Sequence, residues 1–258
     1  MGALLIIEAV FMAIPTIVSF IYGESDAYVF LMSSVITLIV GLLGIALGWR
    51  APSHVGEREG YVIVALVWIL FSFFGMMPFY LSKAIPDFTD AFFETISGFT
   101  TTGASILTDI ESLSHGCLIW RSLTQWLGGM GIIVLSLAIL PMFGLGGMQL
   151  YAAEVTGLSY EKVSPRIADT AKKMWAIYVA LTVIETVLLK IFGMDIFDSI
   201  CHSFSTIATG GYSTKNLSIA YWQSGILCLG DIQTECHTTI QPHKFTIQPL
   251  CTHLRLNA

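Results

Sequence analysis

Five stretches of this chain are each long and apolar enough to cross a lipid bilayer, and nothing else in the sequence limits the fold as much. A membrane helix needs about 20 mostly apolar residues to cross ~30 Å of hydrocarbon. The stretches run over residues 3–22, 28–48, 61–82, 117–143 and 170–192. Of the 258 residues, 55% are hydrophobic and 12% charged, about half the charge of an ordinary soluble domain. So little charge cannot cover a soluble surface of this size. Backbone groups facing lipid must be satisfied within their own segment, so the expected class is an all-α integral membrane protein.

Charge placement suggests an orientation. Arg50 and Arg58 follow the second stretch, and Lys162, Arg166, Lys172 and Lys173 follow the fourth. The opposite side has only Lys83 and Lys215, with Lys190 at a helix end, but holds Glu24, Asp26, Asp87, Asp90, Asp109, Glu111, Asp195 and Asp198. Basic loops stay cytoplasmic, which predicts a cytoplasmic N-terminus and an acidic outer face. Such a face concentrates cations, although outer loops also avoid Lys and Arg for topological reasons alone. The net charge of −6 argues against nucleic acid as a partner. Cys117, Cys201, Cys228, Cys236 and Cys251 follow no disulfide or zinc spacing, so no cofactor is expected. The N-terminus lacks the basic region of a cleavable signal. The stretches carry no protease constellation, so an enzyme is not expected.

A repeat narrows the function. Residues 90–105 align with 198–213 at an offset of 108 without a gap. Asp90/Asp198, Ser97/Ser205, Thr101/Thr209, Gly103/Gly211 and Ser105/Ser213 are identical pairs. Each copy follows an apolar stretch on the acidic side. Residues 90–99 make a helix of about 15 Å, half the membrane core, so the segment should enter from outside and stop midway. Its Asp suits the positive end of the helix dipole, and the negative end would face a cation. Non-helical backbone at that depth is tolerated only when buried or lining a wet cavity. Carbonyls there can replace the hydration shell of an ion, and Gly103 and Gly211 permit the backbone angles this needs. Ordinary turns between helices are the plainer reading of either copy alone.

The run Phe92-Phe93-Glu94-Thr95-Ile96-Ser97-Gly98-Phe99-Thr100-Thr101-Thr102-Gly103-Ala104 resembles the first pore loop of the Trk/Ktr potassium-uptake superfamily, in its bacterial TrkH-type subunit. The segment Trp120-Arg121-Ser122-Leu123-Thr124-Gln125-Trp126-Leu127-Gly128-Gly129-Met130-Gly131 and the loop from Ser205 to Ser213 are similar to later parts of the same family. The resemblance covers about residues 1–224. It implies helix–pore-loop–helix repeats, four around one pore, preceded by a helix pair. It also implies potassium uptake across the bacterial inner membrane, a homodimer as the full-length protein, and a cytoplasmic nucleotide-binding regulatory subunit. By position, Thr100, Thr101, Thr102, Gly103 and Ala104 would form one quarter of a potassium filter. Ala208, Thr209, Gly210, Gly211 and Tyr212 would form the next. An accessory membrane subunit without its own transport is the alternative.

The expected organisation is a helix pair over 1–50, a first repeat over 61–143, a cytoplasmic connector over 144–169, an incomplete second repeat over 170–224, and an atypical, disordered tail over 225–258. The tail lacks periodicity and reads as a truncation with a shifted frame. Cys228, Cys236, His237, His243, Cys251 and His253 match no structural zinc pattern. Two loops are half a filter, so the chain is expected to be inactive alone. Glu94 and His202 hold equivalent repeat positions and are expected to brace the loops. Pro15 and Pro78 are expected to kink their helices, and Gly128–Gly131 to serve packing. Arg121 is expected to snorkel or pair with a carboxylate. Glu8 and Glu185 lie within apolar stretches and raise a functional question. Glu8, near a helix end, is expected to reach water. Ser164 and Pro165 are expected to open a helix.

Overall fold

The structure, a computed structural model, describes residues 1–48, 57–139 and 163–222. The expected tail and most of the connector, with Arg50 and Lys162, lie outside the described residues, as do the cysteines and histidines beyond 222. Among the described residues the fold is helical, without strands. Helices α1 (Gly2–Tyr22) and α2 (Ala27–Gly48) form an antiparallel hairpin. Gly2 and Gly41 let their backbones approach closely at one end, and the Ser34 hydroxyl donates to the Ala9 carbonyl midway, at 2.8 Å. Gly23, at φ 69°, terminates α1 in a left-handed cap, a conformation that costs glycine little. Helix α1 runs through Pro15 without interruption.

Helix α3 (Glu57–Gly75) and the short α4 (Met77–Leu81) share the third apolar stretch. The break falls at Gly75–Met76, and Pro78 sits in the first turn of α4, where its missing N–H costs nothing. Helix α5 (Phe88–Phe99) has 12 residues, and α6 (His115–Ile139) has 25. Helix α7 (Val163–Ile191) leads to α8 (Ile196–Ile207), again 12 residues, then a 3-10 turn over Ser218–Trp222. Helix α7 begins one residue before Ser164, so Ser164 and Pro165 lie in its first turn, and Ser164 is not the cap.

Among the described residues, four segments combine the length and apolarity of a membrane crossing: Gly2–Tyr22, Ala27–Gly48, Val64–Leu81 and Thr170–Ile191. The fourth apolar stretch forms α6, about 37 Å long. It carries Arg121, Thr124 and Gln125, all buried, because it is the pillar about which the rest packs.

One flank of α6 meets α1 through Phe11 and Trp126. Another meets α5 where Gly128 lies against the backbone of Phe99. A third meets α7, where Trp126 donates to the Thr182 hydroxyl and Tyr178 to the Trp126 carbonyl. Gly129 lies against Ala208, beyond the end of α8. The glycine run therefore serves close contact, as small residues do between membrane helices. The outward faces of α1, α2 and α7 expose Val10, Ile17, Leu42, Leu43, Ile184 and Val187, as a lipid solvent demands.

A Cβ on Gly128 would strike the Phe99 carbonyl, which belongs to backbone and cannot swing aside. Gly128→Ala is expected to destabilise the fold by about 1–3 kcal/mol, the usual overpacking cost. Thermal unfolding in detergent, followed by monodispersity on size exclusion, checks this.

Candidate functional site

The two repeat segments fold alike. Asp87 and Asp195, again 108 apart, are the N-caps of α5 and α8, with Asp90 and Asp198 in the first turns. The helices thus begin ahead of the expected Asp90 and Asp198, and the cap itself is an aspartate one turn earlier. The Asp87 carboxylate accepts from the N–H groups of Thr89 and Asp90 at 2.8 and 3.1 Å. At about 18 Å, neither helix can span. Both end in the same irregular backbone: φ is +55° at Thr101 and at Thr209, +73° at Gly103 and +83° at Gly211. Glycine tolerates this region, but a β-branched threonine there is a strained outlier. Such strain persists only where surroundings over-determine it.

Hydrogen bonding in the loops is one-sided. The N–H groups of Thr100, Thr101 and Thr102 donate back to Ile96, Gly98 and Ser97. Those of Ala208, Thr209 and Gly210 donate to Phe204, Thr206 and Ser205, and that of Tyr212 to the Gln125 side chain. Among the described residues no donor reaches the carbonyls of Thr100, Thr101, Thr102, Gly103, Ala208, Thr209, Gly210 or Gly211. The loops touch each other: a Cβ on Gly103 would collide with the Gly210 carbonyl. Residues 103 and 211 therefore lie on one side of one bundle.

A polar core stands behind them. Glu94 and Arg121 are both fully buried and paired at 2.8 Å. Glu94 also accepts from the Ser105 hydroxyl at 2.9 Å and the Ile106 N–H at 3.0 Å. Arg121 donates onward to Ser105 and, at 3.3 Å, to the Ser213 carbonyl of the second loop. Its guanidinium lies 4.0 Å from the centre of the Tyr212 ring, a cation–π contact. The Tyr212 hydroxyl donates to the carbonyls of Glu94 and Ala104, at 2.8 and 3.3 Å. In the second copy His202 and Ser213 share a hydrogen bond at 3.3 Å, the counterpart of Glu94 and Ser105. Both expected braces are therefore braces, and Arg121 takes a carboxylate partner instead of snorkelling. Gln125 lies between the loops. Its Oε1 accepts from Ser205 and Tyr212, and it fills the space a side chain on Gly210 would need.

Comparison with known proteins agrees with this geometry. A sequence model of the family described as TrkH, cation transport protein, matches residues 28–230. The chain belongs to the TrkH cation transport family. A relative called Trk system potassium uptake protein TrkH, from Escherichia coli K12, is 47% identical over 229 residues, covering 86% of this chain and 47% of the relative. The Trk system potassium uptake protein TrkG of the same organism is 36% identical over 225 residues, covering 86% of this chain and 46% of that protein. The crystal structure of the potassium transporter TrkH from Vibrio parahaemolyticus superimposes with a TM-score of 0.77 at 38% identity, over 88% of this chain and 46% of that one. The chain spans about half the length of the curated relatives it matches.

All ten loop residues singled out in the sequence lie in the two TrkH-family segments that meet at Gly103 and Gly210. The sequence did not single out Gln125 or the Tyr212 hydroxyl as braces, nor Asp87 and Asp195 as caps. The caps carried a signal, since the repeat offset holds for them too. Gln125 appeared only as one residue of the family-like segment from Trp120 to Gly131, with no role attached. Removing one partner of a buried pair strands the other charge, at about 3–5 kcal/mol. Arg121→Met is expected to destabilise by that amount. The double variant with Glu94→Gln should lose less than the two single losses together, as read by denaturant unfolding of all three variants in detergent.

Proposed function

We propose that this chain supplies two quarters of the ion pathway of a potassium-uptake protein of the bacterial inner membrane, with its N-terminus in the cytoplasm. Thr100, Thr101, Thr102, Gly103 and Ala104 form one wall of the filter. Ala208, Thr209, Gly210, Gly211 and Tyr212 form the next. The observation that carries this reading is the pairing of consumed N–H groups with free carbonyls in two loops of matching backbone. A left-handed residue at every second position turns alternate peptides, so successive carbonyls face one axis, where they replace the water around a desolvated cation. The repeated αR–αL alternation could instead cradle an anion through N–H groups, but the N–H groups of Thr100, Thr101, Thr102, Ala208, Thr209 and Gly210 are spent on the helices that precede the loops. The names borne by the relatives support potassium as the cargo. No catalytic step is assigned.

Two walls do not close a ring. A four-walled pathway needs two further loops, and the reading extends to a homodimer of the complete transporter governed by a cytoplasmic nucleotide-binding subunit. This polypeptide alone is inactive. Reconstituted in vesicles, it should carry no selective potassium flux, and selective flux would overturn that part of the reading.

The filter assignment has its own test in the complete transporter that contains these residues. Gly103→Ala meets both a left-handed backbone and the Gly210 carbonyl. Gly211→Ala meets the backbone cost alone, roughly 1–2 kcal/mol, since nothing lies within 4 Å of the added carbon. Growth rescue of a potassium-uptake-deficient cell should fail with Gly103→Ala and be weakened, with lower preference for potassium over sodium, in Gly211→Ala. Unchanged uptake and selectivity in both would refute the assignment.

A further inference from the structure

Glu8, the seventh residue of α1, does not reach water as its place near a helix end suggested. It is 1% exposed. Neither carboxyl oxygen has a hydrogen-bond partner among the described residues. It points to the junction where α3 breaks. A Cβ placed on Gly75 would stand 3.1 Å from Glu8 Oε1, 2.7 Å from the Phe99 ring and 3.0 Å from the Thr95 methyl. The Gly75 carbonyl is already taken by the Trp120 indole N–H at 2.8 Å. The surroundings are a glycine backbone, an aromatic edge and a methyl group, a poor solvent for an ionised carboxylate.

Among the described residues no charge compensates it. Helix α2 carries no charged residue, and α3 carries Glu57, Arg58 and Glu59 in its first turn, at the far end from Gly75. Glu94 on α5 and Arg121 on α6 are spent on each other. Glu24 engages His115 at the opposite end of α1, and Asp90 and Asp198 lie in the first turns of the pore helices. An unpaired buried charge costs several kcal/mol, so the carboxyl must hold either a metal cation or a proton. A potassium or sodium ion needs several oxygens to replace its water, and the Gly75 carbonyl at this junction is occupied.

We propose that Glu8 is a proton-binding site in the seat of the first pore helix: its neutral carboxyl packs at the junction of Gly75, Thr95 and Phe99, and losing the proton unseats Phe99. That residue ends α5 and leads directly into Thr100, so the occupancy of a buried proton site is tied to how the loop is held.

The test needs no transport and so stands apart from the filter assignment. The full chain is placed in lipid nanodiscs, and infrared spectra are compared with Glu8→Gln and, should the amide misfold, Glu8→Leu. The expected result is a carbonyl-stretch band of a neutral, weakly hydrogen-bonded carboxylic acid at neutral pH, lost in the variant. The folded chain holds a proton that the unfolded chain releases, so stability should fall as pH rises. The wild-type melting temperature should therefore drop towards alkaline pH more steeply than the variant's. A variant spectrum that lacks only carboxylate bands, or parallel melting curves across that range, overturns the proposal.

Discussion

The site hangs on one buried ion pair. Glu94 and Arg121 are taken out of water entirely, which costs several kcal/mol for each ion and is offset only where geometry and further hydrogen bonds are good. Here four donors converge on the Glu94 carboxylate: two nitrogens of Arg121, the Ser105 hydroxyl and the Ile106 N–H. The remaining guanidinium nitrogen reaches the second loop at Ser213. A single side chain on the central helix therefore fixes the exit of one loop and the exit of the other. This explains why α6, a long apolar helix, carries buried polar residues. Its polar residues face inward, where the loops need partners, and its small residues face the backbone of α5 and the Ala208 end of α8.

The two copies solve the same problem with different charges. Position 94 holds a carboxylate and its repeat mate, position 202, an imidazole, yet each engages the serine eleven residues on. One arginine cannot neutralise two carboxylates equally, and the second copy uses a side chain that needs no neutralising. The difference follows from a single pillar serving both loops. The same asymmetry appears at Ser97, which donates to the Ala104 carbonyl in its own loop, while Ser205 donates to Gln125 on the pillar. The backbone is repeated more faithfully than its supports, with left-handed Thr101 and Thr209 kept despite their branched side chains.

Much of this was legible in the chain, and the illegible part has a pattern. Hydropathy located the apolar stretches, because lipid imposes length and apolarity directly, but not the break at Gly75–Met76 or the start of α7 at Val163. The offset of 108 located both loops, because Asp, Ser, Thr and Gly at matching positions reflect a shared backbone. What escaped was contact between elements. Gln125 touches Ser205 and Tyr212, and the Tyr212 hydroxyl touches Glu94, across 80 to 118 residues of sequence. No periodicity within one segment reports which side chain of another will lie beside it. Glu8 shows the same limit: distance from a helix end suggested water, whereas the rotation of α1 about its axis decides the matter and is set by packing on α2 and α6.

The bilayer also explains why strain and orphaned groups gather around the loops. In a soluble protein, an acceptor left over at a bend turns to water. Here the faces turned to solvent are apolar, so every irregular carbonyl must be matched inside the bundle or face a wet path. In the proposed pathway the loop carbonyls follow the second course, and the N–H groups of Thr100, Thr101, Thr102, Ala208, Thr209, Gly210 and Tyr212 follow the first. That division needs helices that stop short, since a continuing helix would take up the carbonyls as well. The 12-residue length of α5 and α8 is thus the condition that frees the acceptors. The Asp caps at their N-terminal ends, Gly128 at the C-terminal end of α5 and Ala208 against Gly129 hold both helices to that length.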